Sequence, residues 1–194
     1  DILFDKSLTG RMGSASAERT MLYEVQRLAP RNYDGPKSKK EIVGLESAWG
    51  DESPVFDIGT EHAAVNGMQN DLAKASWLMG VHAQAAYPSD DISSYTLFHN
   101  PSDNFLLDGV ECAFDKRKGA KPHNAQHLAA VLAQRQRQGK GTKWVVHSQG
   151  TIIFCAALEH YRIHYRTPLK LQQLKVHGSG ANLNRLAVIA RSLG

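Results

Sequence analysis

Apolar residues along this chain come in short blocks, and their spacing changes from block to block. Over residues 17–29, Met21, Leu22, Val25 and Leu28 recur at helical spacing behind a capping Ser14 or Ser16. Pro30 closes the run, so the pattern predicts a helix. Residues 31–54 are rich in Gly, Pro, Ser and Lys and read as an exposed connection with little regular structure. A connection that long is more often a lid or a linker than packed scaffold. Val55 to Ile58 reads as a strand end or part of a hairpin. Residues 63–71 predict a strand, a tight turn and a helix opening at Asn70 or Asp71, with Leu72, Ala75, Leu78 and Met79 at helical spacing. Ser94 to His99 predicts a strand, followed by a loop over 100–104. Residues 106–114 are apolar with turn residues inside, and no element is assigned. A helix is expected over 124–136 with Leu128, Val131 and Leu132 inward, then a turn over 138–142. Trp144 to Val146 predicts a short buried strand and Ile152 to Leu158 a buried helix. Thr167-Pro168 breaks the chain before a strand over 171–176, with 177–181 as its exit loop.

From residue 62 onward, strands therefore alternate with helices. That order predicts an α/β fold with a mainly parallel sheet and helices on both faces. The division expected is 1–54 as an N-terminal helix with a long loop, and 55–194 as the core. Composition agrees with a folded globular chain: 42% of residues are apolar and 22% charged. No apolar run approaches a membrane span, and no signal-peptide pattern opens the chain. Residue 1 is Asp, so a processed product or an excised piece is expected. Cys112 and Cys155 are too few for a disulfide framework and read as buried thiols.

Charge is distributed unevenly. Residues 1–115 hold 18 acidic and nine basic side chains, and 116–194 hold one and 14, giving halves of −9 and +13. The two halves neutralising each other is the simpler expectation; a basic face for an anionic membrane surface is the sharper one. The basic stretch 135–143 lacks interleaved aromatics and any nucleic-acid fold signature. It reads as a solvated helix end, with no nucleic-acid partner.

The most specific chemistry lies in His147-Ser148-Gln149-Gly150, set between an aliphatic strand and an aliphatic helix. A serine on a sharp strand-to-helix turn has its hydroxyl pushed clear of the backbone. The next N–H, that of Gln149, then faces the oxygen that turns negative during acyl transfer. Gly150 supplies a small residue on the far side, whereas Val146 stands where the usual motif has Gly. A plain serine capping the helix is the alternative.

With these residues the chain resembles the α/β-hydrolase superfamily, in particular bacterial lipase-like members that include secreted effector hydrolases. The resemblance runs over about residues 60–182. It implies Ser148 as nucleophile and an oxyanion hole from the N–H groups of Gln149 and of Met68 or Gln69, in the loop where Gly67 turns the backbone. His99-Asn-Pro-Ser102 and His177-Gly-Ser-Gly-Ala-Asn182 look like exit loops of successive strands in the same superfamily. The family's order is serine, acid, histidine. After Ser148 the chain has no Asp, and its one acid, Glu159, lies about 16 Å along the helix. A tail beyond residue 194 or a second chain is therefore expected to complete the triad, with the last strands of the fold missing. Within this chain His177 is the best candidate for the base; Asp103 and Asp108 are weaker candidates for the acid. His147 supports the turn, since neighbouring side chains on a strand face opposite ways.

The expected activity is that of a serine esterase of lipase or phospholipase type acting on a lipid or other acyl ester, without metal or cofactor. A secreted bacterial effector lacking a signal peptide fits the resemblance. A catalytically inactive module binding a protein partner or a membrane is the alternative. The pairs His123/His127 and His160/His164 have the spacing to share a metal from one helix face, but lack a further ligand at suitable spacing and read as helix surface.

Overall fold

A computed structural model describes residues 21–28, 47–67, 70–100 and 123–194. They form strands β1 (Met21–Arg27), β2 (Trp49–Val55), β3 (His62–Val65), β4 (Ser94–His99), β5 (Thr142–Ser148) and β6 (Gln172–Ser179). Four helices accompany them: α1 (Leu72–Ala86), α2 (His123–Arg137), α3 (Gly150–His164) and α4 (Leu183–Leu193). The strands make one sheet in the order β2-β1-β4-β3-β5-β6. β4, β3, β5 and β6 run parallel, while β1 is antiparallel to both β2 and β4. The protein is thus α/β, with a mostly parallel mixed sheet.

Both faces of the sheet are covered, and strand side chains sort by parity. Ala63, Val65, Phe98, Trp144 and Val146 face the core shared with α2, α3 and α4. Ala64, Tyr95, Leu97 and Val145 face the core under α1 with Trp49. Sheets covered on both sides give near-continuous apolar strands, as Trp144-Val-Val146 does. Val146, the departure from the usual elbow pattern, is fully buried in the larger core and paired with Val65 and Val176. Asp71 caps α1, its Oδ1 accepting from Lys74 N–H at 2.8 Å.

The helix expected over 17–29 is not formed across Met21–Arg27, which is strand β1. Leu22 and Val25 are three apart, and both are buried because they point to opposite faces of a doubly covered sheet. Their spacing imitates a helical face. Trp49 to Pro54, expected within a loop, belong to edge strand β2. Pairing with β1 imposes that structure, and the edge position tolerates Pro54. The sheet therefore runs continuously across the division expected at residue 54. β6 extends to Ser179, so His177 lies in the strand rather than in the loop beyond it. Arg135, expected to be solvated, is buried: its guanidinium donates to Thr142 Oγ1 (2.8 Å) and to the carbonyls of Ile58 (2.9 Å), Thr60 (3.2 Å) and Gly141 (2.7 Å). It ties the end of α2 to the amino edge of the sheet. No helix among the described residues is long and apolar enough to cross a membrane.

Candidate active site

Sites in parallel sheets gather at the carboxyl edge, where strands hand over to helices. Here the exits of β3, β5 and β6 meet around Ser148, and the exit of β4 is tied to that of β3. Ser148 has φ +52°, a left-handed conformation that costs a non-glycine residue about 1–2 kcal/mol. Tight packing holds it there. A Cβ on Gly150 would stand 2.5 Å from Val65 O and 2.8 Å from Asn66 O; one on Gly67 would stand 3.0 Å from Ser148 Cβ; one on Gly180 would stand 2.9 Å from Ser148 O. The Gly180 N–H donates to Ser148 O at 3.0 Å. β5, α3 and the exits of β3 and β6 thus close on the serine to distances only glycine permits.

The N-cap of α3 is Gln149, with no side-chain cap bond, so Ser148 does not serve as the cap. Among the described residues no hydrogen bond takes up the Ser148 hydroxyl or the Gln149 N–H. That N–H opens a helix, where the backbone donors and the dipole favour negative charge. Met68 and Gln69, expected to supply the second oxyanion donor, lie outside the described residues, as do Asp103, Asp108 and Cys112. Cys155 is buried and forms no disulfide among the described residues.

The polar scaffold at this edge is built on asparagines. Asn66, fully buried at the exit of β3, donates from Nδ2 to Gly67 O and Asn100 O, both at 2.9 Å. Its Oδ1 accepts from Asn100 N–H at 2.7 Å. Asn124, at the start of α2, reaches Asn100 Oδ1 at 3.3 Å. These residues fix the β3 exit against the β4 exit. Val65-Asn-Gly67 and His99-Asn-Pro101 carry the same sign in the sequence, an Asn ending an apolar strand before a turn residue.

Three histidines meet beside Ser148 on the α1 face. His147 and His177 are paired across β5 and β6. His82, from α1, stacks on His147 with centroids 4.5 Å apart and stands edge-on to His177, their Nδ1 atoms 2.9 Å apart. His147 belongs to this cluster, and a Cβ placed on Gly67 would stand 3.5 Å from its Nδ1 as well as 3.0 Å from Ser148 Cβ. Burial pushes the His82 pKa down to about 4, helped by its neighbours His147 and His177. Burial, then His177, lowers that of His147. No hydrogen bond joins Ser148 to His177, and among the described residues no carboxylate bonds to any of the three rings. Glu159 is committed elsewhere: its Oε1 accepts from Arg185 Nε at 2.7 Å and also pairs with Arg185 Nη2.

At the opposite edge Glu61, His62 and Asp90 come close enough to share a cation, but Lys143 Nζ already stands 2.7 Å from both Glu61 Oε1 and Asp90 Oδ2. Of the helical histidine pairs, His160 and His164 pack ring on ring at 4.1 Å, and His127 lies against Phe98. Comparison with known protein families, with curated proteins and with solved structures gave no match.

Proposed function

We propose that this protein is a serine hydrolase that cleaves an acyl ester through an acyl-enzyme on Ser148. The observation that carries the reading is the left-handed Ser148 at a strand-to-helix turn, packed by Gly67, Gly150 and Gly180. It agrees with the α/β-hydrolase pattern, in which the serine sits on a strained turn and the second oxyanion donor comes from the loop after the third strand. Here that loop begins at Asn66, because β3 lies beside β5 in the sheet.

In this reading Ser148 Oγ attacks the carbonyl carbon, and the carbonyl electron pair moves to oxygen. The N–H of Gln149, with one from the loop that holds Met68, receives that charge. His177 takes the serine proton and returns it to the leaving alcohol, and water then repeats the sequence on the acyl-enzyme. A lipid or phospholipid is the favoured ester, since the +13 charge of residues 116–194 would hold an anionic membrane surface. Labelling with a fluorophosphonate probe tests the proposal. The intact protein should label, and Ser148→Ala should not. Failure of the folded wild-type chain to label would favour the second reading, an inactive hydrolase-like binding module. That reading is supported by the absence of a carboxylate bonded to the histidine cluster among the described residues.

A further inference from the structure

Resting on the hydrolase reading, we propose that His82 fills the place a catalytic acid would hold, orienting His177 as the base for Ser148. Two imidazole nitrogens 2.9 Å apart are at hydrogen-bond distance only if one carries the proton and the other offers its lone pair. Proton transfer from serine needs a particular assignment: His177 carries hydrogen on Nδ1 and donates it to His82 Nδ1. The Nε2 lone pair of His177 is then free to take the proton of Ser148. A triad acid has the same task, holding the histidine in one tautomer and one orientation.

His82 suits the role in three respects. It comes from α1, a packed helix whose Met79 and Ala83 are buried in the core on either side of it in sequence. Stacking on His147 fixes its ring plane. Burial keeps it neutral, so its lone pair is available as an acceptor at neutral pH. The groups facing it are His147 from β5 and His177 from β6. Lys175, the next charged residue on that side of β6, is tied to the Ala86 carbonyl at the end of α1. The one acid after Ser148 is held by Arg185.

A neutral imidazole does not stabilise the transient imidazolium as a carboxylate does, so the arrangement is a positioning device. No hydrogen bond joins Ser148 to His177 in the free protein, so the proposal requires that contact to form when substrate binds. The step balances: the proton leaves Ser148 Oγ for His177 Nε2 as the Oγ–C bond forms. It then passes to the alkoxide as the C–O bond of the ester breaks.

The test measures hydrolysis of a short-chain p-nitrophenyl ester by wild type and by His82→Ala, His82→Asn and His82→Asp, each checked for folding by its melting curve. Asn Oδ1 and Asp Oδ1 occupy the position of His Nδ1, one bond from Cγ. The expected result is a kcat about 10²–10⁴-fold lower in His82→Ala with KM little changed. His82→Asn should restore most of the loss. In His82→Asp the acid limb of the pH–rate profile should move to higher pH, because a carboxylate favours the imidazolium. Nitrogen-15 NMR of the wild type should find the His177 proton on Nδ1.

A proton on Nε2 would overturn the proposal whether or not any variant folds. So would His82→Ala turning over like wild type, or folded Ala and Asn variants failing equally. In these cases fluorophosphonate labelling of Ser148 leaves the hydrolase reading standing. A wild type that does not label at Ser148 overturns both.

Discussion

Gly150 offers the sharpest test of how the turn at Ser148 is built. A methyl group placed there meets Val65 O at 2.5 Å, Asn66 O at 2.8 Å and Val65 C at 3.0 Å, all backbone. A comfortable carbon–oxygen contact is about 3.3 Å, so β3 and α3 must part by some 0.8 Å. No rotamer change can relieve the clash. Overpacking of this kind costs about 1–3 kcal/mol, and the better helix propensity of Ala returns less than about 1 kcal/mol at a first turn. Gly150→Ala should therefore lose about 2 kcal/mol, or about 4–8 °C in Tm for a domain of this size. Gly59→Ala is the control, because nothing lies within 4 Å of its new Cβ. It should be neutral or up to about 1 kcal/mol more stable. Urea unfolding followed by tryptophan fluorescence reads both, since Trp49 and Trp144 are buried. The displacement also shifts the β3 exit loop against Ser148, and a misplacement near 1 Å costs on the order of 10²-fold in rate. Fluorophosphonate labelling of Gly150→Ala should fall accordingly. A Gly150→Ala variant with wild-type midpoint and labelling rate would refute the close approach of α3 to β3.

Arg135→Met should destabilise the protein by about 3 kcal/mol in urea titration, because it orphans the carbonyls of Ile58, Thr60 and Gly141 together with the Thr142 hydroxyl. Stability should also depend on pH. Folding lowers the His82 pKa from 6.5 to about 4, so between those values the unfolded chain binds more protons. The contribution is complete above pH 6.5 and is lost as pH falls toward 4. His147 and His127, both lowered chiefly by burial, act in the same direction. The melting temperature should thus fall between pH 7 and pH 5, and fall less in His82→Asn. Glu159→Gln should leave Ser148 labelling at the wild-type rate, since Glu159 belongs to the α3–α4 ion pair with Arg185; a lost label would return it to the reaction.

The alternation from β3 to β6 was readable because each element announces itself locally. Ser94–His99 is a strand as expected, and Asp71 begins α1 where turn and helix signals coincide. β1 and β2 were not readable, because their structure is imposed from outside. Met21–Arg27 is a strand through its two neighbours, and Trp49–Val55 contains Gly, Asp, Ser and Pro, none of which favours a strand. The site divides the same way. Ser148, Gln149 and Gly150 are consecutive, so their relation is visible in the chain. His82 lies 65 positions before His147 on a helix whose local pattern gives no reason to single out one histidine. Only the topology, which seats α1 over β5 and β6, brings the three rings together. Arg135 was misread for a similar cause: its partners at Ile58 and Thr60 are remote in sequence.

A turn that merely joined β5 to α3 would have no need of a serine at φ +52°. Glycine adopts that conformation without steric cost, and the neighbours that hold it are backbone groups indifferent to the side chain at 148: the Gly180 N–H on Ser148 O, and Ile152 N–H on Gln149 O at 2.9 Å. The serine is therefore kept at a cost to stability, a pattern that clusters at functional sites. Ser148→Gly should release about 1–2 kcal/mol of backbone strain and give back about 0.5–1 kcal/mol through the greater freedom of the unfolded chain. The variant should thus be roughly 0.5–1 kcal/mol more stable than wild type while losing all fluorophosphonate labelling. Ser148→Ala keeps the strain, so it should lose the label without the gain. Measured side by side in urea, a Ser148→Gly less stable than Ser148→Ala would mean that the turn does not strain its serine. The principal structural ground for placing the nucleophile there would then be gone.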